Sequence, residues 1–336
     1  MTTIRVVDVA YHLPDGTLTN AELHRAHPDW NMDRIEQRTG VRSRHIAAPG
    51  ETALDLALGA CLKLFEANPT LRSSVDAVLF CTQSPDYVMP PNSALLHKLL
   101  GLPESVFALD FNLACSGYVY GLALALGLAA SGIAKNILLV TADTYSRYVH
   151  PLDRSARVLF GDAAAATWLV ASDQPGLIDV VCGTVGSEGE AFMVPAGGCR
   201  VPRSAETAKP TRDLAGNVRT AENIRMDGQA VLEFMKRVIP SHVRGVLGRS
   251  GLTIGDVRCV IFHQASALAL DWLEQELHLA AGQSFRNLLH VGNTVSASIP
   301  IALKDAMTQG VARPGDKILL VSFGVGLSYG SSILQL

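Results

Sequence analysis

Apolar positions along this chain come in short blocks separated by polar turns. Ile4-Arg5-Val6-Val7-Asp8-Val9 has strand-like spacing at the start. The run Val106 to Leu109 predicts a buried strand, and the Leu/Ala/Gly-rich run Tyr118 to Ala130 predicts a buried helix. Two blocks recur. Val75-Asp76-Ala77-Val78-Leu79-Phe80 resembles Val257-Arg258-Cys259-Val260-Ile261-Phe262 at an offset of 182 residues. Ile137-Leu138-Leu139-Val140-Thr141 resembles Ile318-Leu319-Leu320-Val321-Ser322 at an offset of 181. Near-equal offsets point to a duplication, with one half spanning about 1–172 and the other 173–336. Strands alternating with helical stretches predict mostly parallel sheets covered by helices on both faces. The polar segment from Cys199 to Asn223, interrupted by Pro202 and Pro210, reads as a surface excursion before a helix near Asp227.

Composition narrows the class. The 336 residues are 48% hydrophobic with 29 glycines and 18% charged, which suits a large α/β core and argues against disorder. A net charge of −3 gives no electrostatic case for nucleic acid. No apolar run reaches 18 residues, so no membrane span is expected. The N-terminus starts directly on a strand-like segment, so no signal peptide is expected. The six cysteines contain no C-x-x-C pair, which disfavours metal and redox motifs and fits a cytoplasmic location.

Three residues stand out within the repeat. Cys115 lies between the Val106–Leu109 run and the Tyr118–Ala130 run, at a predicted helix start where a thiolate is favoured. A cysteine there is equally suited to be a nucleophile or a small core residue. Asn293 lies 25 residues before the Ile318 block, much as Cys115 lies 22 before the Ile137 block, so both enter equivalent helices. Pro300 falls in the first turn of the second of these, where its missing N–H is harmless. His263 directly follows the Val257–Phe262 strand, at the end of a strand where ligands bind in open α/β sheets. Individually His263 also reads as an ordinary strand-end residue and Asn293 as a turn or cap.

Taken in order, Arg38-Thr39-Gly40-Val41, Ala114-Cys115-Ser116-Gly117, Phe160-Gly161-Asp162, His263-Gln264-Ala265-Ser266, Gly292-Asn293-Thr294 through Ile299-Pro300, and Ser322-Phe323-Gly324-Val325-Gly326 resemble the β-ketoacyl-acyl carrier protein synthase III family over nearly the whole chain. The resemblance implies an α/β thiolase-like fold, a five-layered αβαβα sandwich of two duplicated halves, normally a homodimer. It implies Cys115 as the acyl-accepting nucleophile, loaded from acyl-coenzyme A. His263 and Asn293 would bind the malonyl thioester carbonyl and stabilise the enolate left by decarboxylation, since a developing oxyanion needs fixed donors. The N–H groups of Cys115 and Val325 would hold the oxyanion of acyl transfer, and Phe323 would keep the pocket dry. Arg38, Arg154 and Arg34 would contact coenzyme A. Asp162 reads as structural. No metal and no permanently bound cofactor are implied.

The chain also departs from the family pattern. Arg34 stands where a tryptophan is usual, Ser266 ends the motif that normally closes in Asn, and Val325 replaces a glycine. Met89 stands where the family's partner-capping residue falls, at the acyl pocket across the dimer. Glu233, Leu268 and Gln275 occupy positions that are basic in the family and face an acidic carrier protein; Lys236 and Arg237 lie nearby. The acceptor is therefore left open among malonyl-carrier protein, malonyl-coenzyme A, and a small-molecule alcohol or amine reached without decarboxylation. A degradative thiolase is disfavoured because the last cysteine is Cys259. A hydroxymethylglutaryl-coenzyme A synthase is disfavoured because Glu66 lies in no matching motif. A non-catalytic partner subunit is disfavoured by the intact Cys115, His263 and Asn293.

Overall fold

The computed structural model describes residues 2–336. Its principal strands are β1 (Thr3–His12), β2 (Ala77–Cys81), β3 (Phe107–Phe111), β4 (Asn136–Asp143), β5 (Ala163–Ser172), β6 (Leu177–Thr184), β7 (Cys259–Phe262), β8 (Lys317–Gly324) and β9 (Ser328–Gln335). The layer-forming helices are α1 (Ala53–Ala67), α2 (Asn92–Leu100), α3 (Gly117–Ala130), α4 (Gly228–Arg249), α5 (Ala267–Glu276) and α6 (Ser298–Thr308).

Two sheets form, each drawn from one side of the boundary at 172/173. The first has the order β1-β5-β4-β2-β3 and the second the order β6-β9-β8-β7. Their registers repeat: Ala77 pairs with Ile137 in one sheet as Cys259 pairs with Ile318 in the other. A counterpart of β3 is reduced to a single bridge between Val260 and Ser284.

The apolar blocks are explained by burial on both faces. In β2 and β4, Ala77, Leu79, Ile137 and Leu139 point into the layer between the sheets, while Val78, Phe80, Leu138 and Val140 point to α1 and α2. In β7 and β8, Ile261, Ile318 and Leu320 face inward and Val260, Phe262, Leu319 and Val321 face α4 and α5. The inner layer is α3 and α6, whose Tyr118, Leu122, Ile299 and Leu303 pack in the same cluster as residues of both sheets. The sequence of layers is thus αβαβα.

Two expectations are corrected. The sheets are mixed rather than mostly parallel: only β2–β3, β2–β4 and β7–β8 run parallel. The reason is local, because β8 and β9 are joined by a tight hairpin and no crossover helix, and β1 and β6 enter antiparallel to their neighbours. The strand predicted over Val106–Leu109 lies at Phe107–Phe111 and is not buried; Phe107 and Leu109 are each 38% exposed. It is an edge strand with one neighbour, so one side of it has no cover within this chain. The Cys199–Asn223 excursion carries a small hairpin, Thr211–Arg212 against Val218–Arg219, tied back by Arg219 to the buried Asp153.

Candidate active site

Cys115 sits two residues before α3, after the chain leaves β3, and is 3% exposed. Gly324, the last residue of β8, lies directly against it. A Cβ built on Gly324 would stand 2.7 Å from the Cys115 Cβ and 3.0 Å from its Sγ, so only glycine admits this approach. The loop after Gly324 is held to the cysteine segment by hydroxyls. Ser116 Oγ and Ser328 Oγ are 2.5 Å apart, and Ser328 Oγ donates to the Val325 carbonyl at 2.6 Å.

His263 leaves the end of β7 with its ring 2% exposed. Its Nδ1 lies 2.7 Å from Ser298 Oγ at the first residue of α6. The ring meets Phe323 edge-on, with centroids 5.8 Å apart and an interplanar angle of 83°. Burial pushes the imidazole down to about 3, so it is neutral at physiological pH. Gln264 donates to the Phe262 carbonyl and accepts from Asn287 N, which fixes this strand end.

Asn293 is clamped by its own backbone. Its N–H donates to the Leu159 carbonyl and its carbonyl accepts from Gly161, both at 3.0 Å. Its Oδ1 accepts from Val295 N at 3.0 Å. That orients the amide and leaves Nδ2 without an acceptor among the described residues. Gly292, at φ 73°, makes the turn, and a Cβ there would press on Arg44 and the Leu159 carbonyl.

Cys115, His263, Asn293, Phe323 and Ser266 line one cavity of about 150 Å³, walled by apolar groups including Leu159, Phe160, Phe192 and Met235. Ser266 also caps α5, accepting from Ala269 N at 3.3 Å. The expectation of a thiolate is corrected: burial, reinforced by the Asp143 carboxylate, pushes the Cys115 thiol well above its ordinary range. A helix start contributes only a partial charge, which full desolvation outweighs here.

The other predicted residues lie elsewhere. Val325 lines a second cavity of about 580 Å³. Met89 is 78% exposed on the surface. Arg34, Arg38 and Arg154 converge on a third cavity of about 280 Å³ with Asp29 and Asn31. The helix Met32–Thr39 that carries the first two ends at Gly40, which packs so closely on Ala267 that a Cβ would come within 2.9 Å. The arginine cavity and the cysteine cavity thus flank the start of α5. Ser298, Ser328 and Gly324 support the site and escaped the sequence reading as individual residues. The Phe323–Gly326 stretch is the local signal for Gly324 and Ser328, and the Gly292–Pro300 stretch for Ser298. Among the described residues no group of three or more His, Cys, Asp or Glu is placed to hold a metal ion, and no helix is long and apolar enough to cross a membrane.

Comparison with known proteins agrees with this architecture. The family profile described as 3-Oxoacyl-[acyl-carrier-protein (ACP)] synthase III matches residues 109–186, and that of its C terminal matches 247–336. A β-ketoacyl-[acyl-carrier-protein] synthase III of Streptomyces coelicolor is 37% identical over 326 residues, 96% of this chain and 94% of that one. A crystal structure of a 3-oxoacyl-(acyl-carrier-protein) synthase III superposes with a TM-score of 0.97 at 41% identity, covering 99% of this chain and 100% of the other. The priming β-ketosynthase of the R1128 polyketide biosynthetic pathway superposes with a TM-score of 0.86 at 28% identity, covering 99% and 96%. With its sequence matched end to end and its five layers superposed, the chain belongs to the 3-oxoacyl-[acyl-carrier-protein] synthase III family, acyltransferases of the thiolase-like condensing class.

Proposed function

We propose that this chain takes an acyl group from acyl-coenzyme A onto Cys115 and condenses it with a malonyl thioester, in fatty-acid or secondary-metabolite biosynthesis. The observation that carries the reading is the meeting of Cys115, neutral His263 and Asn293 at one apolar cavity. In the first step Cys115 Sγ attacks the thioester carbonyl, coenzyme A leaves as its thiol, and an acyl-cysteine remains. In the second, the malonyl carboxylate departs as carbon dioxide and the electron pair becomes a thioester enolate. We assign the Ser298 hydroxyl as the donor to Nδ1, 2.7 Å away; His263 Nε2 then carries the hydrogen and joins Asn293 Nδ2 as the second donor to the enolate oxygen. Neither donor is charged, so the enolate is held without becoming a trapped ion pair. Its carbon attacks the acyl-cysteine and releases Cys115 and a 3-oxoacyl thioester. Arg34, Arg38 and Arg154 are assigned to the phosphates or adenine of coenzyme A, in the cavity beside α5.

A second reading keeps the first step and changes the acceptor to a small alcohol or amine. It is favoured by the cations near the mouth. Arg237 is paired with Glu188, Lys236 lies over the Trp272 ring at 5.2 Å, and Glu233 is exposed. That face offers little free positive charge to an acidic carrier.

A homodimer through β3 is part of the proposal. The exposed edge strand is the kind of apolar edge that proteins cover, and Tyr87, Val88 and Met89 are exposed apolar residues as well. Met89 would then cap the acyl site of the partner.

Intact mass after incubation with acyl-coenzyme A tests the first step: one acyl adduct on the wild type and none on Cys115→Ala. An equal adduct on that variant would overturn it. Following carbon dioxide during discharge by malonyl-carrier protein or malonyl-coenzyme A separates the two acceptors.

A further inference from the structure

The larger cavity, about 580 Å³, adjoins the nucleophile without containing it. Val325 and Gly326, which directly follow the Gly324 pressed on Cys115, form one wall, and Asn112 lies three residues before Cys115. Phe192 is shared with the cysteine cavity. Tyr145 lines the larger cavity, and its ring packs at 5.4 Å on Phe160, which lines the smaller one. The two cavities thus meet at a common wall beside Cys115, which makes the larger one the neighbouring space for an acyl group directed away from His263.

Its lining is unlike that of the cysteine cavity. Tyr145 hydroxyl donates to Gln83 Oε1, Gln83 Nε2 donates to Asn112 Oδ1 at 2.7 Å, and Tyr148 hydroxyl donates to the Gln83 carbonyl at 3.3 Å. Gln83 N in turn donates to the buried Asp143 at 2.8 Å, so the wall is anchored to β4. These lining residues keep unused hydrogen-bonding capacity. Among the described residues the second hydrogen of Gln83 Nε2 and the amide of Asn112 have no acceptor, and the Tyr145 oxygen retains its lone pairs. The cavity's two charges oppose one another: Arg203 Nε lies 3.6 Å from Glu222, whose other carboxylate oxygen accepts from Thr207. A neutral oxygen satisfies these donors without adding a negative charge beside Glu222, and a hydroxyl can also donate to the Tyr145 oxygen.

Building on the acyl-loading reading above, we infer that the cavity lined by Gln83, Asn112 and Tyr145 receives the acyl group and selects chains that carry a hydroxyl substituent. A site built to hydrogen-bond a substrate hydroxyl discriminates strongly against the analogue lacking it, whereas an extra methylene changes rates far less.

The test is competition for Cys115 followed by intact mass. Equimolar 3-hydroxybutanoyl- and butanoyl-coenzyme A form one pair, and 5-hydroxypentanoyl- and pentanoyl-coenzyme A the other. Loading of the hydroxylated member is expected to be faster by about tenfold or more in at least one pair. A smaller ratio in both pairs overturns the inference. In Gln83→Leu and Tyr145→Phe the ratio should fall toward one; its persistence in both variants would show that this wall does not set it. The wild-type competition needs no variant to fold. If plain and hydroxylated chains alike fail to load, the acyl-loading reading itself falls; if plain chains load and the preference is absent, only this inference does.

Discussion

Cys115 illustrates how surroundings decide what a side chain does. Its thiol is desolvated and lies near the Asp143 carboxylate, so the free enzyme keeps it protonated. Iodoacetamide alkylation of Cys115, followed by peptide mapping to separate it from the exposed Cys199, should keep rising beyond pH 9. A plateau near pH 6–7 would mean a stabilised thiolate instead. Gly324 sets the other limit on this residue. Gly324→Ala puts a methyl group within 2.7 Å of the Cys115 Cβ. Overpacking of this kind costs roughly 1–3 kcal/mol and displaces the groups involved. Acyl loading should fall at least about tenfold, with a lowered melting temperature, measured by intact mass and calorimetry. The motifs around Cys115, His263 and Asn293 were readable because each sits in a short, ordered block. Ser298 and Ser328 were not, since they act on residues 35 and 212 positions away.

Among the elements, β3 departs most from expectation. Its apolar run reads as core, yet it has a neighbour on one side only and leaves Phe107 and Leu109 exposed. Periodicity reports that a strand is apolar and is silent on whether the cover comes from the same chain. If a second copy covers it, Leu109→Lys should place a charge in that interface. Sedimentation velocity should then show a concentration-dependent monomer where the wild type is a dimer. An unchanged dimer would move the interface elsewhere. The inner helix α3 forms over the Leu/Ala/Gly-rich run that predicts it, and α6 is its counterpart in the second half. Pro300 sits at the third position of α6, where no intrahelical donor is lost.

Among the links between the two halves at the site is one buried carboxylate. Asp143, at the end of β4, accepts from Gln83 N in its own half and from Ser296, in the segment between Asn293 and α6 of the other. Burial raises its pKa from 3.8 to about 7. The folded state therefore binds its proton more tightly than the unfolded state does. The associated stability is present below about pH 4 and is lost as pH rises through 7. Relative to Asp143→Asn, the wild type should lose on the order of 3 kcal/mol between pH 5 and pH 8, read by chemical denaturation at each pH. A pH-independent difference would place the ionisation outside this window.

The alternation of inward and outward apolar residues and each short motif are properties of neighbouring positions, and the repeat offsets and motif order need only the order of residues along the chain. They are enough to point to duplicated layers and, through the family resemblance, to Cys115, His263 and Asn293. Packing decided the rest. The charge states of Cys115 and His263 depend on how much water surrounds them, and burial drives both toward the neutral form. The polar wall of Gln83, Asn112 and Tyr145 brings together residues 29 and 62 positions apart, so only the closed fold makes it a surface that a substrate can meet.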